Sequence, residues 1–366
     1  MLNCKSVKKS FLIGSIFLLV GCTPYNNEDA VFTLENGYRE NAKEVKGELI
    51  RYDDELIYAN RFLVYDSLLI VQNNNESQQP LIEIRSLNNG KLLKSIFNKG
   101  EGPYELLMTQ IYLSENILAI KDLMKEKVCF MNLDSIVVNT NYKPRLYNYN
   151  KYFHVLNQLN DSCMVMLSAY KYSNKKLGID INLPRLEMAK FGDTNITWSP
   201  SDFKCTPYNV TNGYIATSLK HKKTLYASAG SPLLELYDDK LHLLKTIRIP
   251  DTFEKKLNVV RKNDGYIVYK RFLPQSFACC GTINDCFYLL YSGYAYDVTT
   301  FDPANNKDER YFPLILKFDV EGNLLNIYKT DRYIFELSMS RDEKTAYATG
   351  YDENGEYALY KYKLEE

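Results

Sequence analysis

Residues placed for chemistry are few and scattered along this chain of 366 residues. Tyr142, Tyr147, Tyr149 and Tyr152 gather within one polar connection, and His154 follows directly. Tyrosine joins an apolar face to a hydroxyl, which suits contact with a sugar or peptide when it is exposed. Loops carry recognition in repeat scaffolds, so 142–152 reads as an exposed ligand rim. His154 falls near the start of an inner strand, where it faces a channel; a hydrogen-bonded structural histidine fits the same position. A second group, Tyr288, Tyr291, Tyr294 and Tyr296, lies in YLLYSGYAY, where alternation turns part of it inward as core. His221 and His242 fall in or beside hairpin turns and read as solvent-facing.

The chain contains no H-E-x-x-H, G-x-S-x-G or EF-hand loop, so no catalytic residue and no metal ligand is assigned. Asp302, Asn305, Asn306, Asp308 and Glu309 offer oxygens of the kind a hard cation such as calcium takes. Their spacing lacks the glycine of a calcium loop and reads as a solvated insertion, and no other cofactor is expected. Gly100 and Gly102 precede neither a Lys-Ser/Thr pair nor a helix, which excludes a phosphate cradle. With Pro103 they read as shapers of a tight loop.

Lys and Arg total 45 and Asp and Glu total 45, leaving no net field to attract nucleic acid. Beyond Cys4 and Cys22 there are Cys129, Cys163, Cys205, Cys279, Cys280 and Cys286, an even set that permits disulfides in an exported chain. Their spacings match no metal motif. Cys280 and Cys286 flank one hairpin turn and are candidates to pair across it.

The elements that must position these residues repeat. Six hairpins recur at intervals of 46 to 63 residues: LVYDSLLIV, LSENILAI, LNDSCMVM, KHKKTLYA, INDCFYLL and SRDEKTAYA. Such periods signal a repeat architecture. Two further strands accompany most hairpins, as in LIEIRSL and KLLKSIFN, whose Asn-Gly step supplies the positive φ of a tight turn. In the second unit SIVVNTN is the fourth strand; in the third, 173–184 interrupts the sheet; in the fifth, 297–310 is an insertion. Helical periodicity is weak, with short candidates near 184–190 and 252–262. The sixth unit lacks a strand, while VKGELIRYDDELIYA upstream has no partner. Closing the ring removes an exposed edge, so residues 46–58 are expected as the outer strand of blade six. The fold class is all-β: a six-bladed β-propeller of four-stranded blades over 46–366, closed by an N-terminal strand.

At the N-terminus, Lys5, Lys8 and Lys9 precede an apolar run from Phe11 to Val20, too short for a typical membrane span. Leu19-Val20-Gly21-Cys22 resembles the lipobox of bacterial lipoproteins. The resemblance implies a signal peptide over 1–21 and a diacylglyceryl group on Cys22. It also implies a further acyl chain, such as palmitate, on the new amino terminus, which together anchor stably. Residues 22–45 then form a polar tether. Thr23 stands where an inner-membrane retention signal has Asp, so outer-membrane residence is expected, on either its periplasmic or its cell-surface face.

Lys99-Gly100-Glu101-Gly102-Pro103-Tyr104-Glu105-Leu106, followed by a strand ending in Asp122, resembles the NHL-type blade junction. With the C-terminal S-x-D-x-K-x-x-Y-A pattern, nearly the whole chain is similar to the TolB-like six-bladed propeller lipoproteins of Gram-negative bacteria. That likeness implies architecture and anchoring more than activity, since propellers host unrelated functions. The leading expectation is a non-enzymatic envelope lipoprotein that binds a protein, peptide or glycan. The alternative is a hydrolase or lyase acting on carbohydrate or lactone-like substrates at the central channel.

Overall fold

A computed structural model describes residues 31–33, 38–52, 59–73, 80–139, 142, 144–149, 153–160, 163–174, 179–191, 196–200, 213–250, 259–261, 267–269, 272–297, 301–304 and 308–364. Three short strands come first: β1 (Val31–Thr33), β2 (Lys43–Glu44) and β3 (Gly47–Ile50). Blade one holds β4 (Ala59–Tyr65), β5 (Leu68–Asn73), β6 (Ile82–Ser86) and β7 (Leu92–Ile96). Blade two holds β8 (Thr109–Ser114), β9 (Ile117–Asp122), β10 (Lys127–Asn132) and, after helix α1 (Leu133–Val138), β11 (Arg145–Asn148). Blade three holds β12 (Phe153–Asn160), β13 (Cys163–Asn174), β14 (Ile179–Phe191) and β15 (Ile196–Pro200). Blade four holds β16 (Gly213–Ser218), β17 (Lys223–Ser228), β18 (Leu233–Tyr237) and β19 (Leu243–Arg248). A separate ribbon of β20 (Val259–Arg261) and β21 (Ile267–Tyr269) leads to blade five: β22 (Phe272–Ile283), β23 (Cys286–Asp297), β24 (Leu314–Asp319) and β25 (Leu324–Lys329). Blade six has β26 (Ile334–Met339), β27 (Thr345–Tyr351) and β28 (Tyr357–Lys363).

The molecule is a six-bladed β-propeller, and its ring closes as the strand count requires. β3 pairs antiparallel with β28, Gly47 opposite Tyr362 and Ile50 opposite Leu359. Strand burial follows position within a blade. All six residues of β5 are buried, because it lies between neighbouring sheets, whereas perimeter strand β7 is mostly exposed. Between blades one and two, Ile70, Ile84, Ile111 and Ile120 pack together; between blades four and five, Leu225, Leu236, Phe287 and Phe318 do so. Three hairpin turns share one device. Asp238, Asp319 and Asp352 each accept the backbone N–H groups two and four residues on, at 2.8–3.0 Å, which substitutes for ladder bonds at the bend. Gly322 and Gly355 take positive φ in two of these turns.

Several sequence expectations are corrected. The stretch read as the fourth strand of unit two begins within helix α1, because Asn132 caps it by accepting from Ser135 N at 3.1 Å. The perimeter strand comes later, as β11. Residues 184–190 are strand, not helix, and 173–184 belongs largely to two strands that extend the blade, Asn174 pairing with Ile179. Of 252–262, the described residues 259–261 form β20. Cys280 and Cys286 are both free thiols. Cys280 pairs with Leu289 and Cys286 with Ile283, so three rungs, about 10 Å, separate them along the ladder. A disulfide tolerates no such separation. Cys129 and Cys279 are also free thiols, and Cys205 lies outside the described residues.

Part of the segment read as a tether is sheet. β1 adds in parallel to β19 of blade four, and β2 in parallel to β25 of blade five. Between them Tyr38 is buried, and the Arg39 guanidinium lies 5.1–5.6 Å from the rings of Tyr38, Tyr291 and Tyr294 while donating to Ser292 O at 2.9 Å. The strap thus fastens to two blades before completing the third.

One buried acid makes the fold pH-sensitive. Glu235, in β18, accepts from Tyr237 Oη at 2.7 Å, and burial pushes its carboxyl up to about 7. A carboxyl raised by folding stabilises below its unfolded value and loses that contribution as pH rises through the folded one. Wild type should therefore lose stability between pH 5 and pH 8. Glu235→Gln keeps the acceptor and should flatten that slope, gaining about 2–3 kcal/mol at pH 8 in urea unfolding.

Candidate functional site

The first strand of each blade faces the axis, so β4, β8, β12, β16, β22 and β26 all contribute to one central cavity of about 270 Å³. Its wall carries an ion pair that no local motif announces. Arg61 Nη2 lies 2.7 Å from Glu336 Oε2, joining the inner strands of blades one and six. Arg61 Nη1 donates to Ile111 O at 2.5 Å, and the guanidinium sits 5.9 Å from the Tyr112 ring. Burial works against its charge, but Glu336 outweighs that and raises its pKa. Its Nε is buried and meets no acceptor among the described residues.

Around this pair stand Gln110, Tyr112, Asn157 and Tyr214. Tyr112 donates its hydroxyl to Gln110 Oε1 at 2.9 Å, and Asn157 Nδ2 donates to Ile215 O at 2.6 Å. Burial, then the nearby Glu336, pushes the Tyr214 phenol up. The Cys279 and Cys280 thiols line the cavity and are likewise raised by burial, which keeps them protonated and unreactive. Gly281 also lines it, and a Cβ there would meet nothing within 4 Å.

Hairpin turns that join inner strands to their neighbours lie at one end of the channel, and described turns from different blades touch there. His221 Nε2 lies 2.6 Å from Asp285 Oδ1, and Lys220 Nζ is 2.9 Å from both carboxylate oxygens. Those hydrogen bonds, Lys220 first, hold Asp285 below the usual carboxylate range. Glu115 accepts from Leu219 N at 3.2 Å, and Ser114 Oγ meets Thr217 Oγ1 at 3.0 Å, so blade two reaches blade four across the ring. His221, read as solvent-facing, is therefore tied to a carboxylate from the next blade.

The loop read as structural is built around a cation. Lys125 Nζ donates to the carbonyls of Gly100, Glu105 and Gly102 at 2.5, 3.0 and 3.3 Å. Asp122 accepts from the N–H groups of Leu107, Met124 and Lys125 at 2.8–3.1 Å, closing the loop onto β9. Glu105 Oε2 accepts from Gly102 N at 2.8 Å, and a Cβ on Gly100 would sit 2.1 Å from that oxygen. Pro103 stands exposed at the corner. Gly100→Ala should cost about 0.5–1.5 kcal/mol, because the Glu105 carboxylate must move aside and give up its bond to Gly102 N. Gly100→Ala with Glu105→Ala should cost less than the sum of the singles, and a thermal-melt double-mutant cycle measures the difference.

The tyrosine rim does not assemble as expected. Tyr149 is buried, donates its hydroxyl to Asp122 O at 2.9 Å and packs 4.6 Å from Phe153, joining blades two and three. Tyr147 lies on perimeter strand β11, edge-on to Phe130 at 6.4 Å, and Tyr142 packs beside blade two near Leu146. Tyr152 lies outside the described residues, and the backbone of His154 falls in inner strand β12. Tyr288 and Tyr291 are both core, on opposite faces of β23, where alternation alone turned only part of the group inward; each face packs against a neighbouring blade. In the oxygen-rich insertion, Asp308 caps a single 3-10 turn and pairs with Arg310, while Glu309 pairs with Lys329 at 3.1 Å. Asn305 and Asn306 lie outside the described residues, and among the described residues no three potential ligands converge on a metal position. The channel residues did leave one trace in sequence: an isolated charge inside an apolar strand, in NRFLVY and IFELSM.

Among solved structures, the chain is similar to a member of the DUF4221 family from Bacteroides vulgatus ATCC 8482. The TM-score is 0.54 and the identity 11%, covering 88% of this chain and 99% of that one. It is also similar to a protein from Bacteroides fragilis NCTC 9343 described as exported. There the TM-score is 0.50 and the identity 11%, covering 92% and 99%. No family model matches the chain, and no curated protein matches it. Likeness at this identity shows a shared fold, and activity must be argued from the chain's own residues.

Proposed function

We propose that this chain is a TolB-like, NHL-like cell-envelope lipoprotein, anchored in the outer membrane through Cys22, whose propeller channel binds a protein segment, peptide or glycan. The observation that carries the binding reading is the channel wall. Inner strands of all six blades converge on one cavity lined by tyrosines, amides and an internally compensated Arg61–Glu336 pair. Convergent polar groups in a preformed concavity are what a ligand site requires. The anchoring reading rests on the lipobox and on a leader too short to span; among the described residues no helix is long and apolar enough to cross a membrane.

Gly281→Phe tests the binding reading, because it fills the channel from a position with open space for the side chain. Purified wild type should bind members of a glycan and peptide array, and the filled variant should lose that binding while melting at the wild-type temperature. Binding that survives the filled channel would overturn the reading. Radiolabelled palmitate incorporation that persists in Cys22→Ala would refute the anchor. The enzymatic alternative rests on the His221–Asp285 pair at the hairpin end. Turnover of a lactone or glycoside that disappears in His221→Gln would favour it.

A further inference from the structure

The channel wall also restricts the kind of molecule it can hold. Its central charges cancel, since Arg61 and Glu336 are 2.7 Å apart and both side chains are largely shielded from solvent. A fully charged ligand group brought beside them would strip one member of its partner, and an uncompensated charge in a desolvated site costs several kcal/mol. Glu115, the other acid on the wall, turns its Oε1 to Leu219 N, and burial raises its pKa. Unused hydrogen-bonding capacity remains on both sides of the ledger. Gln110 uses its Oε1 for Tyr112 and keeps its side-chain amide, and the Tyr214 hydroxyl stands beside it on the wall. The Glu336 carboxylate retains lone pairs beyond its bond to Arg61. The wall also presents the aromatic rings of Tyr112 and Tyr214. Alternating donors and acceptors beside aromatic faces match a molecule with many hydroxyls and exposed C–H surfaces. At about 270 Å³ the cavity is smaller than drug-sized pockets.

We infer, on the footing of the channel reading above, that the occupant is an uncharged sugar of one or two rings. The Gln110 amide and the Tyr214 hydroxyl donate to sugar oxygens, Glu336 accepts from sugar hydroxyls, and the Tyr112 ring covers its C–H face.

Isothermal titration of the intact propeller tests this with glucose, galactose, N-acetylglucosamine and maltose as neutral probes. Glucosamine and glucuronate are their cationic and anionic counterparts, and alanyl-alanine is the peptide probe. The expected result is saturable binding of at least one neutral sugar and at least tenfold weaker binding of both charged counterparts. Tyr214→Phe or Glu336→Gln should weaken the sugar at least tenfold, and Gly281→Phe should abolish it. If a charged counterpart binds as tightly as the neutral sugar, or only alanyl-alanine binds in a manner the filled channel abolishes, the sugar inference falls and the channel reading stands. If no probe shows binding that Gly281→Phe abolishes, both fall.

Discussion

Deleting residues 1–51 should leave a chain that no longer folds cooperatively, whereas deleting residues 1–42 should leave a folded propeller. The longer deletion removes β3, which pairs with β28 on its outer side. Four rungs of ladder, Gly47–Tyr362 to Ile50–Leu359, go with it. Val45, buried beneath blade six, is lost too, as is the cover that Leu49 and Ile50 give to neighbouring clusters. Side chains of this size contribute about 1.5–3 kcal/mol each when buried, so the combined loss is about 5 kcal/mol before ladder bonds are counted. A whole domain is stable by roughly 5–15 kcal/mol. The shorter deletion removes β1 and the Arg39 contacts but keeps the closing strand. Urea unfolding followed by circular dichroism separates the two variants, and a peptide spanning residues 43–52 should restore a cooperative transition to the longer deletion. If both variants unfold within about 1 kcal/mol of each other, closure by β3 contributes little to the fold.

Glu343→Ala is expected to be the most damaging single substitution on the hairpin face. Glu343 sits in the last hairpin turn and reaches into blade five, where Lys317 Nζ lies 2.6 Å from its Oε2. Tyr288 Oη donates to Oε2 at 2.5 Å, and Asn284 Nδ2 to Oε1 at 2.9 Å. In the same turn Arg341 pairs with Asp134 of blade two at 2.9 Å and donates to the Tyr65 hydroxyl of blade one. One turn therefore ties blade six to both sides of the ring. Truncating Glu343 leaves an ammonium and a phenol facing a sheet interface without their acceptor. For a pair about one-fifth exposed, that costs about 2–3 kcal/mol, less than a fully buried pair. Arg341→Ala, half exposed like its partner Asp134, should cost under about 1 kcal/mol. Burial alone would raise the Glu343 carboxyl, but the bonds from Lys317, Tyr288 and Asn284 outweigh it and hold the pKa down. A depressed carboxyl contributes stability above its unfolded pKa and loses it as pH falls through the folded value. Wild type should weaken below about pH 4.5, and Glu343→Gln should remove part of that acid sensitivity. Equal urea midpoints for wild type and Glu343→Ala at pH 7 would refute the argument.

Legibility in the sequence followed the range of the interaction. The hairpins were readable because a strand's alternation and its turn residues lie within about ten residues of one another. The missing sixth-blade strand followed from counting, since an unpaired edge is a liability wherever it falls. Helix α1 was misread because SIVV favours a strand by composition, while the Asn132 cap decides locally for a helix. The tyrosines were misread for a different reason. Tyr149 and Tyr147 look like an exposed loop pair until β11 is placed on the blade, after which one ring is core and the other lies at the perimeter.

The sequence by itself determined the blade count, the closing strand and the loop at Gly100, each specified by contacts local in sequence or by conservation of strand number around a ring. Only the tertiary structure decided the site. Arg61 and Glu336 are 275 residues apart, and His221 and Asp285 are 64 apart. A closed ring sets its first and last blades side by side and aims all its inner strands at one axis. A channel built this way takes a few residues from each blade, and so no window along the chain contains it.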